Sequence, residues 1–225
     1  KDIIKDCENS LKRLGTDYID IYYTHNPVRD PAWLEKYPVE DTVRALMDLK
    51  KAGKIRCIGS SNVDPEHIEA YMACGCEIDI IQRKYTILAR GVEENILPIC
   101  EKYGMTFHAY APIERGLLTG TVTKDRVVPP GDAREDQAWW APDKLPHAID
   151  FVDGLKDICE EYHCTQTDLA IAFIRHGRPY VNVIYGARKI KHLEAGAATV
   201  NVTLRDDTVA EIRRRAEELE AKYGG

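Results

Sequence analysis

Apolar residues recur at Ile3, Ile4, Cys7, Leu11 and Leu14, a spacing of three and four that marks one face of a helix over 3–14, with Gly15 as its stop. Residues 17–23 (Asp-Tyr-Ile-Asp-Ile-Tyr-Tyr) are mostly apolar and rich in β-formers, which predicts a buried strand. It ends at Thr24-His25-Asn26-Pro27, and a loop carrying Pro27, Pro31 and Pro38 follows. A helix is predicted over 41–52, with Val43, Leu46, Met47 and Lys50 on one side and Gly53 as its stop.

The alternation then repeats. A short strand is predicted over 54–59, and Asp64-Pro65 opens a helix to about Ala73. Strand 78–82, helix 92–103 and strand 105–111 follow. A long segment, 112–146, is rich in Gly, Pro and charge and holds Trp139-Trp140; a loop of this length is usually functional or disordered. Helix 149–162, a helix capped by Thr165-Gln166-Thr167-Asp168, strand 181–184 and helices 190–198 and 206–222 complete the chain.

Strands alternating with helices imply parallel pairing through right-handed crossovers. A doubly wound open sheet and part of a (β/α)8 barrel both fit, and no G-x-G-x-x-G turn favours the first. The strand ends hold His25, Ser60-Ser61-Asn62, Gln82, Tyr110 and Gly186-Ala187-Arg188, polar or glycine groups suited to a ligand. In a barrel such C-terminal ends form one site. No internal linker divides the chain, so a single domain over 1–225 is expected.

Composition narrows the partners. The chain has 225 residues, with 31 Lys+Arg against 37 Asp+Glu and a net charge of −6, which argues against nucleic acid or an anionic membrane as the main partner. No run reaches the roughly 18–20 apolar residues of a membrane span. The 7 cysteines form no framework and read as reduced thiols of a cytoplasmic protein. Cys74-Gly-Cys76 is the close pair; with no second pair or His cluster to complete a site, no metal is expected, and the pair reads as a helix end before a strand.

Five segments, in order, resemble the aldo-keto reductase family. Residues 10–20 leading to His25 are similar to its helix and fourth strand, and Gly53-Lys54-Ile55-Arg56-Cys57-Ile58-Gly59-Ser60-Ser61-Asn62 to its G-K-I-R-x-I-G-x-S-N segment. Gln82 followed by Tyr85 resembles its next strand. Ala109-Tyr110-Ala111-Pro112 with Gly116-Leu117-Leu118-Thr119-Gly120 resembles the segment that folds over the cofactor, and Gly186-Ala187-Arg188 its phosphate-end turn. The resemblance implies a partial (β/α)8 TIM barrel of about five βα units. It implies an NAD(P)(H)-dependent oxidoreductase that interconverts a carbonyl and an alcohol by hydride transfer, with a small-molecule carbonyl or alcohol substrate.

By the same resemblance, His25 hydrogen-bonds and orients the substrate carbonyl. Ser61, Asn62 and Gln82 meet the nicotinamide carboxamide, and Tyr110 stacks on its ring. Ala111, Pro112, Gly116, Leu118, Gly186, Arg188 and His192 contact the rest of the cofactor, and Trp33, Trp139 and Trp140 could line a substrate pocket. Each has a plainer reading: a strand cap for His25, turn chemistry for Ser61-Asn62, core for Tyr110, interface surface for the tryptophans. His108, two residues before Tyr110, is given no role.

Two departures stand beside the match. The family's catalytic Asp, Tyr and Lys belong to strands before His25 and are not in this chain, which opens on Lys1 directly into a helical pattern. About 90 residues, three βα units, are expected upstream, restoring a barrel of ~250 residues or more. Without them two parallel edges would be left open, inviting an oligomer. The alternative is a non-catalytic barrel fragment that senses cofactor or binds a partner. At the adenosine end, His192 replaces the usual Gln or Arg, Ala195-Gly196 replaces Glu-Asn, and Tyr185 replaces Pro. Arg188 and Lys189 favour NADP(H), with NAD(H) as the second choice.

Overall fold

The computed structural model of the chain describes residues 2–187 and 189–224. They form two compact units, Lys1–Arg83 with Gly91–His108, and Lys84–Arg90 with Ala109–Gly225.

The first unit runs α1 (Asp2–Leu14), β1 (Ile19–Thr24), α2 (Pro31–Lys36), α3 (Val39–Lys51), β2 (Ile55–Ser61), α4 (Pro65–Ala73), β3 (Ile78–Lys84), α5 (Val92–Asn95), α6 (Leu97–Tyr103) and most of β4 (Thr106–Tyr110). The strands lie in the order β1-β2-β3-β4, and β1–β2 and β2–β3 are parallel. The apolar runs of β2, β3 and β4 are buried, with Ile58, Ile81 and Phe107 inaccessible to solvent, whereas β1, expected as a buried strand, has no buried residue: Asp20 is exposed and the other five are half-buried. Cys7 and Leu11 of α1 and Leu46 and Leu49 of α3 close the helical side of this core, with α1 against α3 and α3 against β2.

Several expectations are corrected here. Leu14, read into the apolar stripe of α1, is 67% exposed. Lys50 shares the inner side of α3 as expected, 22% exposed, but contributes an ion pair and not apolar packing: its Nζ reaches Asp79 Oδ2 at 3.0 Å. Asp79 occupies an irregularity of β3, where Ile58 pairs with Ile78 but Gly59 with Ile80, and its Oδ2 accepts the Ile58 N–H at 2.8 Å. The charged residue inside an apolar strand therefore repairs a break in the ladder. The proline-rich loop folds α2, whose N-cap Asp30 accepts the Ala32 N–H at 2.9 Å. The single helix predicted over 92–103 is two, because Pro98 has no N–H to donate and its ring collides with the carbonyl four residues back.

The second unit carries the end of β4, then α7 (Leu145–Asp153), α8 (Lys156–Glu161), α9 (Gln166–Arg175), β5 (Val181–Val183), α10 (Ile190–Ala198) and α11 (Asp206–Tyr223). The predicted helix 149–162 starts earlier, at Leu145, and is interrupted around Gly154. Ile184 N–H donates to Ala109 O at 2.8 Å, joining the segment after β5 to β4. Residues Leu169 to Ile174 of α9 are all buried, and α9 packs on β5, α8 and α10. The long segment 112–146 contains two 3-10 turns, Glu114–Thr119 and Ala138–Trp140. Trp139 and Trp140 are 6% and 4% exposed, so they are core residues and not surface tryptophans.

Candidate active site

In the first unit the ends of β1, β2 and β3 bring His25, Ser61, Asn62 and Gln82 together. Thr24 pairs with Ser60 and Ser61 with Gln82 across the strands. Thr24 Oγ1 donates to Ser60 Oγ at 3.1 Å, and Ser60 and Ser61 are buried. Asn62 follows with φ +58, a left-handed conformation that Asn tolerates better than most residues. Its N–H donates to Gln82 O at 3.0 Å. Its Nδ2 donates to the His25 carbonyl and to Asn26 Oδ1, both at 3.0 Å, while Asn26 Nδ2 lies 3.1 Å from His25 Nδ1. His25 itself is exposed.

A charged brace secures this turn. Arg29 donates to Asn62 O at 2.7 Å and to Asp64 Oδ2 at 2.5 Å, and Arg83 donates to Asp64 Oδ1 at 2.8 Å and to Val63 O. The Arg83 and Arg29 guanidinium groups hold the Asp64 carboxyl below the usual range. Below the strand ends, Tyr23 Oη and His108 Nδ1 are 2.8 Å apart. Burial pushes the Tyr23 phenol up and the His108 imidazole down, which keeps both neutral. Sequence reasoning missed Asn26, Arg29, Arg83, Tyr23 and His108. Asn26 and Arg83 each directly follow an expected residue, which is the signal that was there to use. Trp33 is 54% exposed on α2 and stacks on Tyr37, with ring centroids 5.3 Å apart.

In the second unit Tyr110 is half-buried at the end of β4. The chain then turns sharply: Ala111, Glu114 and Arg115 take φ of +53, +49 and +55, and Gly116 +103. Three non-glycine residues in the left-handed region within five positions are strain that the surroundings must hold in place. Glu114 does this. It is 1% exposed, ion-pairs with Lys84 and accepts from Thr86 Oγ1 at 2.8 Å. Its carbonyl accepts from Trp140 Nε1 at 3.0 Å, and the Arg115 carbonyl accepts from Arg134 Nε at 3.1 Å. The long segment thus clamps the turn. Pro112 and Leu118 are buried, and the Leu118 N–H donates to Ile113 O at 3.1 Å.

Gly186 is exposed and His192 half-buried on α10, while Arg188 lies outside the described residues. Two departures from the family pattern meet here. The Tyr185 ring packs against Gly196 so closely that a Cβ on Gly196 would lie 2.5 Å from Tyr185 Cδ1. Tyr185 therefore occupies space that a side chain at 196 would need. An open groove of about 890 Å3 in this unit, lined by Lys156, His163 and Asp168 among others, touches the end of the cofactor-like segment at Thr119 and Gly120 but includes none of the individual residues expected to contact substrate or cofactor. Among the described residues no cluster of His, Cys, Asp and Glu could hold a metal ion, and no helix is long and apolar enough to cross a membrane.

The chain is similar to known proteins. The chain is 41% identical over 211 residues to the NADH-specific methylglyoxal reductase of Escherichia coli (strain K12), covering 94% of this chain and 63% of that protein. It is 34% identical over 223 residues to aldo-keto reductase str7 of Strobilurus tenacellus, covering 97% and 64%. The solved structure of a glycerol dehydrogenase from Gluconobacter oxydans superposes with a TM-score of 0.85 at 26% identity, over 98% of this chain and 64% of that one. The chain thus spans less than two thirds of these proteins' length. The model of the aldo/keto reductase family matches residues 1–217, and the chain belongs to that family.

Proposed function

We propose that this chain carries one side of the active site of an NAD(P)(H)-dependent oxidoreductase that interconverts a carbonyl and an alcohol. The observation that carries the reading is the convergence of His25, Ser61, Asn62 and Gln82 on three adjacent strand ends. Family membership over 1–217 supports one barrel-type domain containing both units and five βα units.

The donor set fits a nicotinamide dinucleotide. Hydroxyl and amide groups both donate and accept, as a neutral carboxamide requires; Ser61 and Gln82 offer that mixture, and Asn62, whose NH2 group donates to His25 O and Asn26 Oδ1, offers its amide oxygen. Tyr110 offers a half-buried aromatic face. Ala111, Pro112, Gly116 and Leu118 form a strained but clamped turn suited to close backbone contact. When bound, the dinucleotide supplies or receives the hydride. His25 would then hydrogen-bond the substrate oxygen and stabilise its alkoxide character as the hydride moves. Gly186, Arg188 and His192 are proposed for the adenosine end, and Trp33, exposed beyond β1, for the substrate side. Trp140 acts there only through the clamp it helps build, and Trp139 only as its buried neighbour.

Arg188 and Lys189 favour NADP(H), whereas the similarity to a reductase named NADH-specific supports NAD(H). The preference is read from kcat/KM for the two cofactors. Seven free thiols support a cytoplasmic location. Methylglyoxal is the first substrate to try, on the strength of the same relative's name.

The test is His25→Ala in the protein, assayed with NADH and NADPH on methylglyoxal and a panel of aldehydes and ketones. A fall in kcat of about 10²-fold is expected, as for loss of one donor to a developing oxyanion. Wild-type turnover on every carbonyl that the parent reduces would end the assignment of His25.

A further inference from the structure

We propose that Asn26, held by Asn62, is a positioning residue that fixes His25 in the Nε2–H tautomer. The inference deepens the reading above and rests on His25 as the group that meets the substrate oxygen.

One group in this cluster has a polarity that admits no choice. The His25 backbone carbonyl can only accept, so the Asn62 side-chain atom 3.0 Å from it must be the NH2 nitrogen. That nitrogen also lies 3.0 Å from Asn26, so the Asn26 atom it meets must be the acceptor Oδ1. The other end of the Asn26 amide is then its NH2 group, 3.1 Å from His25 Nδ1. A nitrogen that receives a donor carries no proton, so in the neutral ring the proton sits on Nε2. The anchor of this sequence is itself fixed: Asn62 is tied through its N–H to Gln82 O at 3.0 Å and through its carbonyl to Arg29 at 2.7 Å.

The consequence concerns chemistry. A carbonyl oxygen needs a donor, and the Nε2–H tautomer presents one on the side of the ring away from Asn26. The opposite tautomer would present a lone pair there and repel the oxygen. Asn26 and Asn62 thereby select the useful tautomer without touching substrate.

The experiment is long-range 1H–15N NMR of the protein with 15N-labelled histidine, which reads the proton position on each ring. The expected wild-type result is a neutral His25 protonated at Nε2 and bare at Nδ1. Asn26→Asp removes the donor and offers an acceptor, so in spectra taken at a pH high enough to keep the ring neutral beside the new carboxylate the proton should move to Nδ1. Asn62→Gly keeps the left-handed backbone but frees the Asn26 amide to rotate, so a mixture of tautomers should appear. The other six of the seven histidines report whether the fold is intact. If Asn26→Asp does not fold, Asn26→Ala should give the same mixture without a new charge. A neutral wild-type ring protonated at Nδ1, or a neutral Asn26→Asp ring still protonated at Nε2, would overturn the proposal. In turnover, Asn26→Asp should lower kcat about 10²-fold with KM within about twofold. An Asn26-dependent Nε2–H tautomer in a protein that reduces no carbonyl would sustain the positioning role while removing the reductase reading.

Discussion

Gly59 shows how one residue's emptiness shapes the site. It lies opposite Tyr23 in the β1–β2 register, and a Cβ there would stand 2.4 Å from Tyr23 Cδ1 and Cε1. The ring cannot simply swing aside, because its hydroxyl is held 2.8 Å from His108 Nδ1. Gly59→Ala should therefore destabilise the fold by about 1–3 kcal/mol, the range for overpacking a filled interior. The urea midpoint measures it, and adding Tyr23→Ala should recover much of the loss, because the two side chains compete for one space. A single mutant that unfolds at the wild-type midpoint would mean that the ring has room to move. At this scale the sequence revealed residues whose chemistry stands at a strand end, such as His25 and Gln82. It hid those whose role depends on a partner brought near by folding. Asn26 acquires its meaning from Asn62, and Tyr23 from His108, 85 positions away.

The elements were legible where local signals agree. The first residue of α9 was readable because Thr165 and Asp168 cap it reciprocally: Asp168 N–H donates to Thr165 Oγ1 at 3.2 Å, and Thr165 N–H to Asp168 Oδ2 at 2.8 Å. Because α9 is buried along Leu169–Ile174, its cap bears on the second unit's core. Thr165→Ala should lower stability by about 1 kcal/mol, and Thr165→Ser should restore most of it. Equal denaturant midpoints for the three proteins would show that the cap contributes nothing. The breaks were harder to see. Pro98 and Gly154 sit inside patterns whose apolar period continues across them, so periodicity joined helices that backbone chemistry separates. The fold of α2 lay beneath three prolines, and its signal was Asp30, a cap that composition overwhelmed. Asp79 lies within the apolar run 78–82, and its bond to Ile58 N–H exists only once β2 and β3 are paired.

Across the whole molecule, titration sets the pH range of the fold. Asp64 is held below the ordinary carboxylate range by Arg83 and Arg29, and Asp157 by Arg215, whose Nη2 lies 2.7 Å from Asp157 Oδ2. A carboxyl depressed in the folded state stabilises it fully above its unfolded value of about 4, and that stability fades as pH falls through the folded value. Thiols act in the opposite direction. Burial pushes Cys76 to about 11 and Cys100 and Cys159 to about 12. An unfolded cysteine loses its proton near 8.5. The folded state therefore holds these protons more tightly, and stability falls as pH rises from about 8.5 towards 11–12. Each thiol should contribute a slope of about 1.4 kcal/mol per pH unit in that interval. Tyr23 and Tyr71, also pushed up by burial, should steepen the decline above pH 10. Urea unfolding at intervals from pH 3 to 11 should show a plateau between about 6.5 and 8.5, a first loss below about 6.5, where unfolded His108 takes a proton that burial denies the folded one, a further loss below about 4, and the alkaline loss above about 8.5. Cys100→Ala, whatever its effect on the plateau, should make the alkaline limb shallower by one thiol's slope. An alkaline limb of unchanged steepness in that variant would mean that Cys100 gives up its proton as easily folded as unfolded, and its complete burial on the inner face of α6 would then carry no penalty for charge.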